Sequence, residues 1–406
     1  MSMISLGSTN QYKSPFGGNK TVIAALAVLF LSACGGGGGS DTPTTPAPAP
    51  EVVPVTPPAT IDLPAEFTVY LTGLADGIVI PAYQSMQASA NDLITATSTF
   101  CALSSPTVTQ LDTVRDKWIV LNLDWQQVQW VKVGPVVSQN RLFRIQFWPD
   151  NNDAVSRGVS NLLLQSSTVS ADDVASQNVG GQGLPALELL LFPSTENENL
   201  IQAENRDKRC EVATAISQNL VNITTDINTE WSATGGNYRN QLITGTGEFT
   251  SITDAVEELT TNWLEALEIV KDEKMLLPLG SESPGNVGIA ENTLSDQSLA
   301  SIEANLQSFV DLYSNGDNKG FDSILTNTLD QDAINTQMLT AINAMLIRIK
   351  QINQDYDSYS AVLASEQGRQ QIDALIEEIR VTRDHLSTGF IQALDINIGF
   401  NSNDGD

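Results

Sequence analysis

The sequence is poor in histidine and in basic residues. Its 406 residues include a single histidine, His385, and only 20 lysines and arginines against 48 aspartates and glutamates, for a formal net charge of −28. One imidazole argues against zinc peptidase chemistry, which normally needs two or three His or acidic ligands and a general base. The shortage of cations argues against nucleic acid and strongly anionic lipid surfaces as partners.

Long apolar runs are also scarce. The N-terminal run "TVIAALAVLFLSA", at 21–33, is about 13 residues long, which is short for a membrane span and typical of a signal-peptide core. It leads into "LSAC", ending at Cys34, where a Leu at −3, small residues and a Cys form a bacterial lipobox. We therefore expect cleavage before Cys34 and acylation of its thiol, although an ordinary secretory signal is the alternative. Two or more acyl chains anchor a protein stably.

The residues after Cys34 resemble a tether. "GGGGGS" and the Pro/Thr-rich "DTPTTPAPAPEVVPVTPPAT" cannot build a core. We expect residues 1–33 to be the signal peptide and 34–61 a spacer. Gly35, not Asp, follows the cysteine, which indicates an outer-membrane anchor facing the periplasm if the cell is Gram-negative.

Only two further cysteines are present, Cys101 and Cys210. In an exported domain, a pair of this kind favours one disulfide over two free thiols or a metal-binding pair.

Apolar residues recur with helical spacing over most of the remaining chain, and long strand patterns are absent. The apolar series include Val114–Val128, Ile216–Ile227, Val256–Val270, Leu299–Tyr313, Ile334–Ile349 and Ile372–Phe390. The pattern predicts an all-α fold built from helical bundles. We place the boundary within "TGGNYRNQLITGTG", which gives an N-terminal bundle at 62–235 and a C-terminal bundle at 236–406. These would be duplicated four-helix bundles, although no strong repeat relates the halves.

The segment Trp125–Asp150 has an unusual composition. It holds three of the six tryptophans and three bases, Lys132, Arg141 and Arg144, with no acid between Trp125 and Trp148. One interpretation is a loop that fills the core, with its arginines paired to acids. The other is a pocket wall whose guanidiniums hold a carboxylate or another oxyanion.

"GQGLPALELLLF", residues 181–192, places one acid, Glu188, among leucines. Pro185 suits the first position of a helix, and Glu188 would then lie in its first turn, near the positive end of the helix dipole. The leucines would bury this turn, and a buried carboxylate needs a partner. Arg141, Arg144 and Arg157 are the candidates.

Four segments in order resemble those of imelysin-like proteins: "RLFRIQFWPD" (141–150), "GLPALELLLF" (183–192), "RCEVATAISQNL" (209–220) and the terminal "IGFNSNDGD". The resemblance implies a bacterial envelope protein, often a lipoprotein, with two helical bundles and a site between them. The family is named for a protease and classed with metallopeptidases, whereas several relatives are associated with iron uptake.

The resemblance also exposes a departure. The family motif G-x-H-x-x-E aligns with Gly183 to Glu188, and the metal-capable His is replaced by Pro185. A second segment, "ENTLSDQSL", keeps Glu291, Ser295 and Ser298 but lacks the arginines that relatives often carry. Zinc peptidase activity is therefore not expected, and zinc is an improbable cofactor.

We predict a non-enzymatic ligand-binding lipoprotein, with iron or an iron-carrying or anionic small molecule as the ligand. Glu188 and Asp150 would supply acidic groups, Arg141 and Arg144 orienting cations, and Trp148 an apolar wall. Gly183, Pro185, Arg157, Glu291, Ser295 and Ser298 complete the candidate site. The alternatives are a metallopeptidase and a structural protein that meets an envelope partner.

Overall fold

The computed structural model describes residues 61–193, 195, 200–316 and 320–399. The signal sequence, the tether, Cys34 and the terminal residues 400–406 lie outside this range. The predictions that concern them stay predictions.

Every regular element in the described residues is helical, which confirms the all-α prediction. The α-helices are α1 Leu63–Leu74, α2 Ile80–Cys101, α3 Val108–Val128, α4 Arg141–Ile145, α5 Ala154–Leu163, α6 Ala171–Ala175, α7 Gly183–Leu191, α8 Arg206–Trp231, α9 Tyr238–Thr244, α10 Ile252–Glu268, α11 Leu277–Leu279, α12 Ser298–Ser314, α13 Phe321–Ser323, α14 Asp332–Asp355, α15 Tyr359–Ala364, α16 Glu366–His385 and α17 Ile391–Leu394.

Shorter helical segments of other types join or interrupt these helices. The π-helical segments are Ala75–Val79, Ile269–Leu276, Ile324–Thr328 and Leu386–Phe390, and the 3-10 segments are Gly134–Val136, Ser138–Asn140, Val179–Gly181 and Val287–Ile289.

Local sequence signals account for the main helices. Thr107 and Gln110 form a capping box that starts α3, and Ser251 and Ser365 cap α10 and α16 with their hydroxyls. The apolar series predicted from the sequence face the core, with Ile334 only half-buried. Burial of these series supplies the main stabilisation, since each fully buried aliphatic or aromatic side chain contributes about 1.5–3 kcal/mol.

The helices pack in two groups. In the first half of the chain α2 lies against α3 and α8, and α7 contacts both α3 and α8. In the second half α14 packs against α12 and α16. Helix α12 also contacts α3, and α1 contacts α9 and α10, so elements distant in sequence share one core.

The predicted disulfide is confirmed. Cys101, the last residue of α2, is bonded to Cys210 near the start of α8, across 109 positions of sequence. The bridge therefore joins the two longest helices of the first half.

The predicted boundary segment contains a helix of its own. Helix α9 occupies the middle of Thr234–Gly247, and Gly245, with a positive φ of 59°, ends it. The described residues between 61 and 399 fall within one compact unit. The division into bundles at 62–235 and 236–406 stays a prediction.

One described stretch, Leu63–Cys101, is long and apolar enough to cross a membrane by length and composition alone. Phe67, Leu71 and Leu74 are buried in the protein core on one side of it, while Thr68 and Ser98 are exposed on another. Core helices pass the same length and composition test, and the burial pattern is that of a core helix.

Candidate functional site

Helix α7 carries the aligned motif and begins at Gly183, where the chain needs glycine. The φ of Gly183 is +73°, and a Cβ there would lie 2.2 Å from the carbonyl oxygen of Ile145. A side chain at this position would strain the backbone and separate α7 from α4. Gly183 thus lets the two helices approach closely, and this approach places Glu188 relative to residues 146–150.

The predicted helix start was wrong by two residues. Because α7 begins at Gly183, Pro185 is its third residue, where the amide has no partner within the helix in any case. Glu188 is the sixth residue and lies in the second turn. The dipole of the first turn therefore does not explain the acid.

The partner of Glu188 is Ser295, from the other half of the chain. The backbone N–H of Ser295 donates to Glu188 Oε1 at 2.9 Å, and its hydroxyl donates to the same oxygen at 2.6 Å. Glu188 is 6 % exposed. The backbone N–H of Leu294 also donates to this carboxyl, so the segment before α12 holds it through two successive residues.

Burial raises the pKa of Glu188 from 4.5 to about 7, against the opposing effect of the two hydrogen bonds from Ser295. The negative charge of Glu291 raises it further. The carboxyl therefore exchanges its proton near neutral pH, as groups in functional sites often do.

Glu291 lies in a buried ion pair. Lys274 Nζ is 2.8 Å from Glu291 Oε2, and both side chains are nearly inaccessible. Lys274 also donates to Asn305 Oδ1 at 2.7 Å and to Gln126 Oε1 at 2.9 Å. Burial lowers the pKa of Lys274, and the charge of Glu291 opposes that shift. The ammonium thus joins α3, α12 and the π-helical segment Ile269–Leu276.

The same network fixes the segment that holds Glu188. Gln126 and Gln146 donate to the two carboxylate oxygens of Glu291, at 3.2 and 2.9 Å. The Ser298 hydroxyl donates to the backbone oxygen of Glu291 at 2.6 Å, and the Ser295 hydroxyl lies 3.2 Å from the backbone oxygen of Asn292. Hydrogen bonds therefore hold both ends of the turn Glu291–Ser298 in place.

A pocket of about 300 Å³ adjoins Glu188. Three parts of the chain line it: the segment after α4 together with the start of α5, helix α7, and the segment after the 3-10 turn Val287–Ile289. The lining residues are Gln146, Phe147, Trp148, Asp150, Asp153, Val155, Ser156, Pro185, Glu188, Leu189, Gly288, Ala290, Asn292, Thr293 and Leu294.

The pocket brings together four of the predicted site residues: Trp148, Asp150, Pro185 and Glu188. Asp150 also has a structural task. Its oxygens accept hydrogen bonds from the backbone of Ala154 and Val155 at the start of α5, each at 2.8 Å. Burial opposes these bonds, but together with that of Asn152 they lower the pKa of Asp150, which stays charged.

The predicted arginines do not lie in the pocket lining. Arg141 is buried and donates to Glu230 at 2.6 Å and to the carbonyl oxygen of Pro135 at 2.8 Å. Arg144 donates to Gln182 and Asn219, and Arg157 to the backbone of Asn152. The core-filling interpretation therefore describes Arg141. Residues 146–148 and Asp150 of the same segment line the pocket, but without the guanidiniums that the pocket-wall interpretation placed there.

The donor set around Glu188 does not fit a protein-held metal. Among the described residues no group of three or more His, Cys, Asp or Glu side chains could hold a metal ion. Pro185 offers no ligand atom, and His385 lines a different groove, between α14 and α16. One Glu188 oxygen already accepts two hydrogen bonds, so the metal expected of a peptidase lacks its ligands here.

Sequence reasoning missed the amides and the lysine of this site. Gln146, Asn292 and Asn305 carry amides, which are common on helix surfaces, whereas Lys274 lies four residues after Val270 and so falls on the apolar series Val256–Val270. A weak signal for Lys274 is its place in "KDEKMLLP", where the helical spacing of apolar residues breaks down and the π-helical segment forms. Such segments are frequent at functional sites.

Comparisons with known proteins agree with this architecture. The family model described as Imelysin, a peptidase family, matches residues 79–386. "Iron-regulated protein A" of Synechococcus elongatus is 24% identical over 233 residues, which span 56% of this chain and 60% of that relative. The chain thus matches less than two thirds of the length of this curated relative.

Two solved structures share the fold. An imelysin-like protein from Psychrobacter arcticum 273-4 superposes with a TM-score of 0.69 at 22% identity, over 84% of this chain and 100% of that one. A putative iron-regulated protein A precursor from Parabacteroides distasonis ATCC 8503 has a TM-score of 0.66 at 15% identity, over 83% and 97%.

Proposed function

We propose that this chain, which belongs to the imelysin family, is a non-enzymatic ligand-binding protein of the cell envelope. Its site is the pocket that Glu188 adjoins. The observation that carries the proposal is a buried carboxyl, held by Ser295 from the other half of the chain, beside a cavity of about 300 Å³. Pockets of this size, mostly apolar with a few fixed polar groups, are typical of small-molecule sites.

Peptidase activity is not favoured, because Pro185 replaces the histidine of the family motif. The described residues around Glu188 also lack the ligands that a catalytic metal needs. A purely structural role is not favoured either. A filled apolar contact would serve that role, whereas a polar network and a cavity occupy this region.

The proposed link to iron rests on the relatives, of which two carry the name iron-regulated protein A. Because the described residues offer no ligand set for a bare ion, the link to iron would run through an organic iron carrier bound in the pocket or through control of expression by iron supply. The sequence suggested an anionic carrier because Arg141 and Arg144 could bind it. In the structure Arg141 donates to Glu230 and Arg144 to Gln182, so an anionic carrier is no longer favoured.

Peptide hydrolysis and ligand retention together test the function. Fluorescent casein should stay intact when the protein is incubated with Zn²⁺ or Fe²⁺. Native mass spectrometry of protein purified from its own envelope should show a small organic adduct that a pocket variant, Thr293→Lys, lacks. Hydrolysis that stops both with a chelator and in Glu188→Ala would instead establish a metallopeptidase.

We further propose that Cys34 carries the lipid anchor and that the protein faces the periplasm from the outer membrane. The basis is the "LSAC" lipobox followed by Gly35. Cys34→Ala should move the protein from the membrane fraction to the soluble fraction. Unchanged fractionation would contradict the anchor, without bearing on the pocket.

A further inference from the structure

The charged side chains that line the pocket are all acids. They are Asp150, Asp153 and Glu188, and among the lining residues of the described chain there is no lysine, arginine or histidine. Asp150 is held in its charged form by backbone N–H groups, although burial opposes this. The pocket therefore repels anions and attracts cations.

Two buried amides of the pocket lining carry acceptors without partners. Gln146 is 8 % exposed and Asn292 3 % exposed, and Oε1 of the first and Oδ1 of the second have no hydrogen-bond partner among the described residues. An unsatisfied buried acceptor costs about 1–3 kcal/mol. Less than 1 Å² of either oxygen is accessible, so a bound molecule reaches them only after the two side chains move.

The orientation of both amides follows from their neighbours. The nitrogen of Gln146 donates to Glu291 at 2.9 Å, and an ionised carboxylate can only accept. The nitrogen of Asn292 donates to Asn122 Oδ1 at 3.0 Å and to the Ser301 hydroxyl at 2.8 Å. Flipping either amide would break these bonds, so the oxygens are the atoms left unpaired.

The rest of the lining suits an organic cation better than a bare metal ion. Phe147 and Trp148 provide aromatic rings, which attract ammonium and guanidinium groups by about 0.5–2 kcal/mol. The cavity holds the volume of roughly ten water molecules at about 30 Å³ each. Both Asp150 oxygens and one Glu188 oxygen already accept hydrogen bonds from the protein.

We propose that the ligand is an organic cation, a primary ammonium or guanidinium group on a compact apolar body. Its N–H groups bond to Glu188, the charges of Asp150 and Asp153 attract the cation, and Trp148 packs on the body. The proposal rests on the proposed ligand-binding function and specifies the ligand class of that same pocket.

The proton equilibrium of Glu188 adds a second expectation. The carboxyl has a pKa of about 7, raised by burial, and a cation binds its ionised form. The ionised fraction rises about tenfold between pH 6 and pH 8, so the affinity for a ligand that stays cationic should rise by up to about tenfold.

Three probes of similar shape and different charge test the ligand class: benzylammonium, benzyl alcohol and benzoate. A second cation, benzamidinium, is used for the pH series. Isothermal titration calorimetry should show both cations binding with a Kd of the order of 1 mM, as expected for molecules of this size. Benzyl alcohol should bind at least tenfold more weakly, and benzoate should not bind.

Matched variants locate the site. Glu188→Gln should weaken cation binding at least fivefold, and Thr293→Lys should abolish it by placing an ammonium at the pocket lining. Glu204→Gln and Thr95→Lys make the same chemical changes at exposed positions that line none of the described pockets, and they should leave binding unchanged. Circular dichroism should show that all four variants are folded.

Each contrary result overturns a different claim. Benzoate or benzyl alcohol binding that Thr293→Lys abolishes would reject the cationic class and keep the binding function. Stoichiometric binding of Ca²⁺ or Fe²⁺ that Glu188→Gln abolishes would replace the organic cation with a metal. Failure of both cationic probes at millimolar concentration would overturn the ligand class, while Glu188-dependent casein hydrolysis would overturn the binding function itself.

Discussion

At the residue scale, Glu188 has the most direct bearing on the proposed function. Its carboxyl is buried among leucines of α7, and Ser295 supplies two hydrogen bonds to one of its oxygens. These bonds do not offset the loss of water, and the pKa rises to about 7. A carboxyl kept neutral below pH 7 and charged above it can respond to a cation in the adjoining pocket.

The shifted pKa predicts a pH-dependent stability. Below pH 4.5 Glu188 is protonated in both states, and between about 4.5 and 7 the unfolded chain loses the proton that the folded state keeps. The free energy of unfolding should therefore fall by up to about 3 kcal/mol as pH rises through this window. The difference between wild type and Glu188→Gln in urea unfolding should follow that curve.

The control for this prediction is Glu204→Gln, which removes an exposed carboxylate. Its difference from wild type should stay nearly constant between pH 4.5 and pH 8. An equally flat difference for Glu188→Gln would show that the carboxyl titrates at its ordinary value and that the pocket does not shift it.

Gly183 gives a second prediction at this scale. Ala at this position must adopt a φ of +73° with its Cβ about 2.2 Å from the Ile145 carbonyl oxygen, so Gly183→Ala should lower the free energy of unfolding by at least about 2 kcal/mol. Gly389→Ala is the control, because the atom nearest its Cβ lies at 3.8 Å, and it should change stability by less than about 1 kcal/mol. Urea unfolding measures the free energy of both variants. Equal losses in Gly183→Ala and Gly389→Ala would contradict the close approach of α7 to α4.

At the element scale, the buried ion pair between Lys274 and Glu291 links the second half of the chain to the first through hydrogen bonds with Gln126 and Gln146. Lys274 lies on the π-helical segment Ile269–Leu276, and its partners lie on α3, α12 and the turn before α12. The turn carries Ser295, so the ion pair positions the partner of Glu188.

Lys274→Met should destabilise the protein by about 3–5 kcal/mol, because it leaves the buried charge of Glu291 without a counterion. The double variant Lys274→Met/Glu291→Gln should recover part of this loss. Arg380→Met, which breaks an exposed pair with Glu377, should cost less than about 1 kcal/mol. If urea unfolding gave Lys274→Met the same small cost, the ion pair would have no positioning role.

The helices themselves could be predicted from the sequence, because apolar spacing and caps are local properties. The series around Trp118 and Trp263 lie in the core as the pattern predicts. The partner of Glu188 could not be predicted in the same way, since Ser295 is 107 positions away and a hydroxyl gives no pattern. The positive charge of Arg141, Arg144 and Arg157 suggested that one of them pairs with Glu188. Instead, other side chains and backbone carbonyls accept their hydrogen bonds.

At the scale of the whole molecule, two halves of an all-α chain share one core and one pocket. The contacts of α12 with α3 and of α1 with α10 join the halves, and the disulfide joins α2 to α8 within the first half. The arrangement gives the pocket a lining from both halves, so ligand binding and the stability of the whole unit are coupled.

The disulfide should contribute substantially to this stability. A bridge that closes a loop of 109 positions restricts the unfolded chain by up to about 4–5 kcal/mol in entropy models. The double variant Cys101→Ala/Cys210→Ala should therefore unfold at a clearly lower urea concentration, and intact wild type should weigh two daltons less before reduction than after. Labelling of free thiols in the unreduced wild type would contradict the bridge.

We propose that the pocket beside Glu188 holds an organic ligand and not a protein-held metal. The most direct measurement combines metal content by ICP-MS with native mass spectrometry on one sample of the wild-type protein, purified from its own envelope, beside Glu188→Gln. We expect no stoichiometric metal and an organic adduct that is reduced in Glu188→Gln. One equivalent of iron or another metal in the wild type, absent from Glu188→Gln, would contradict the proposal.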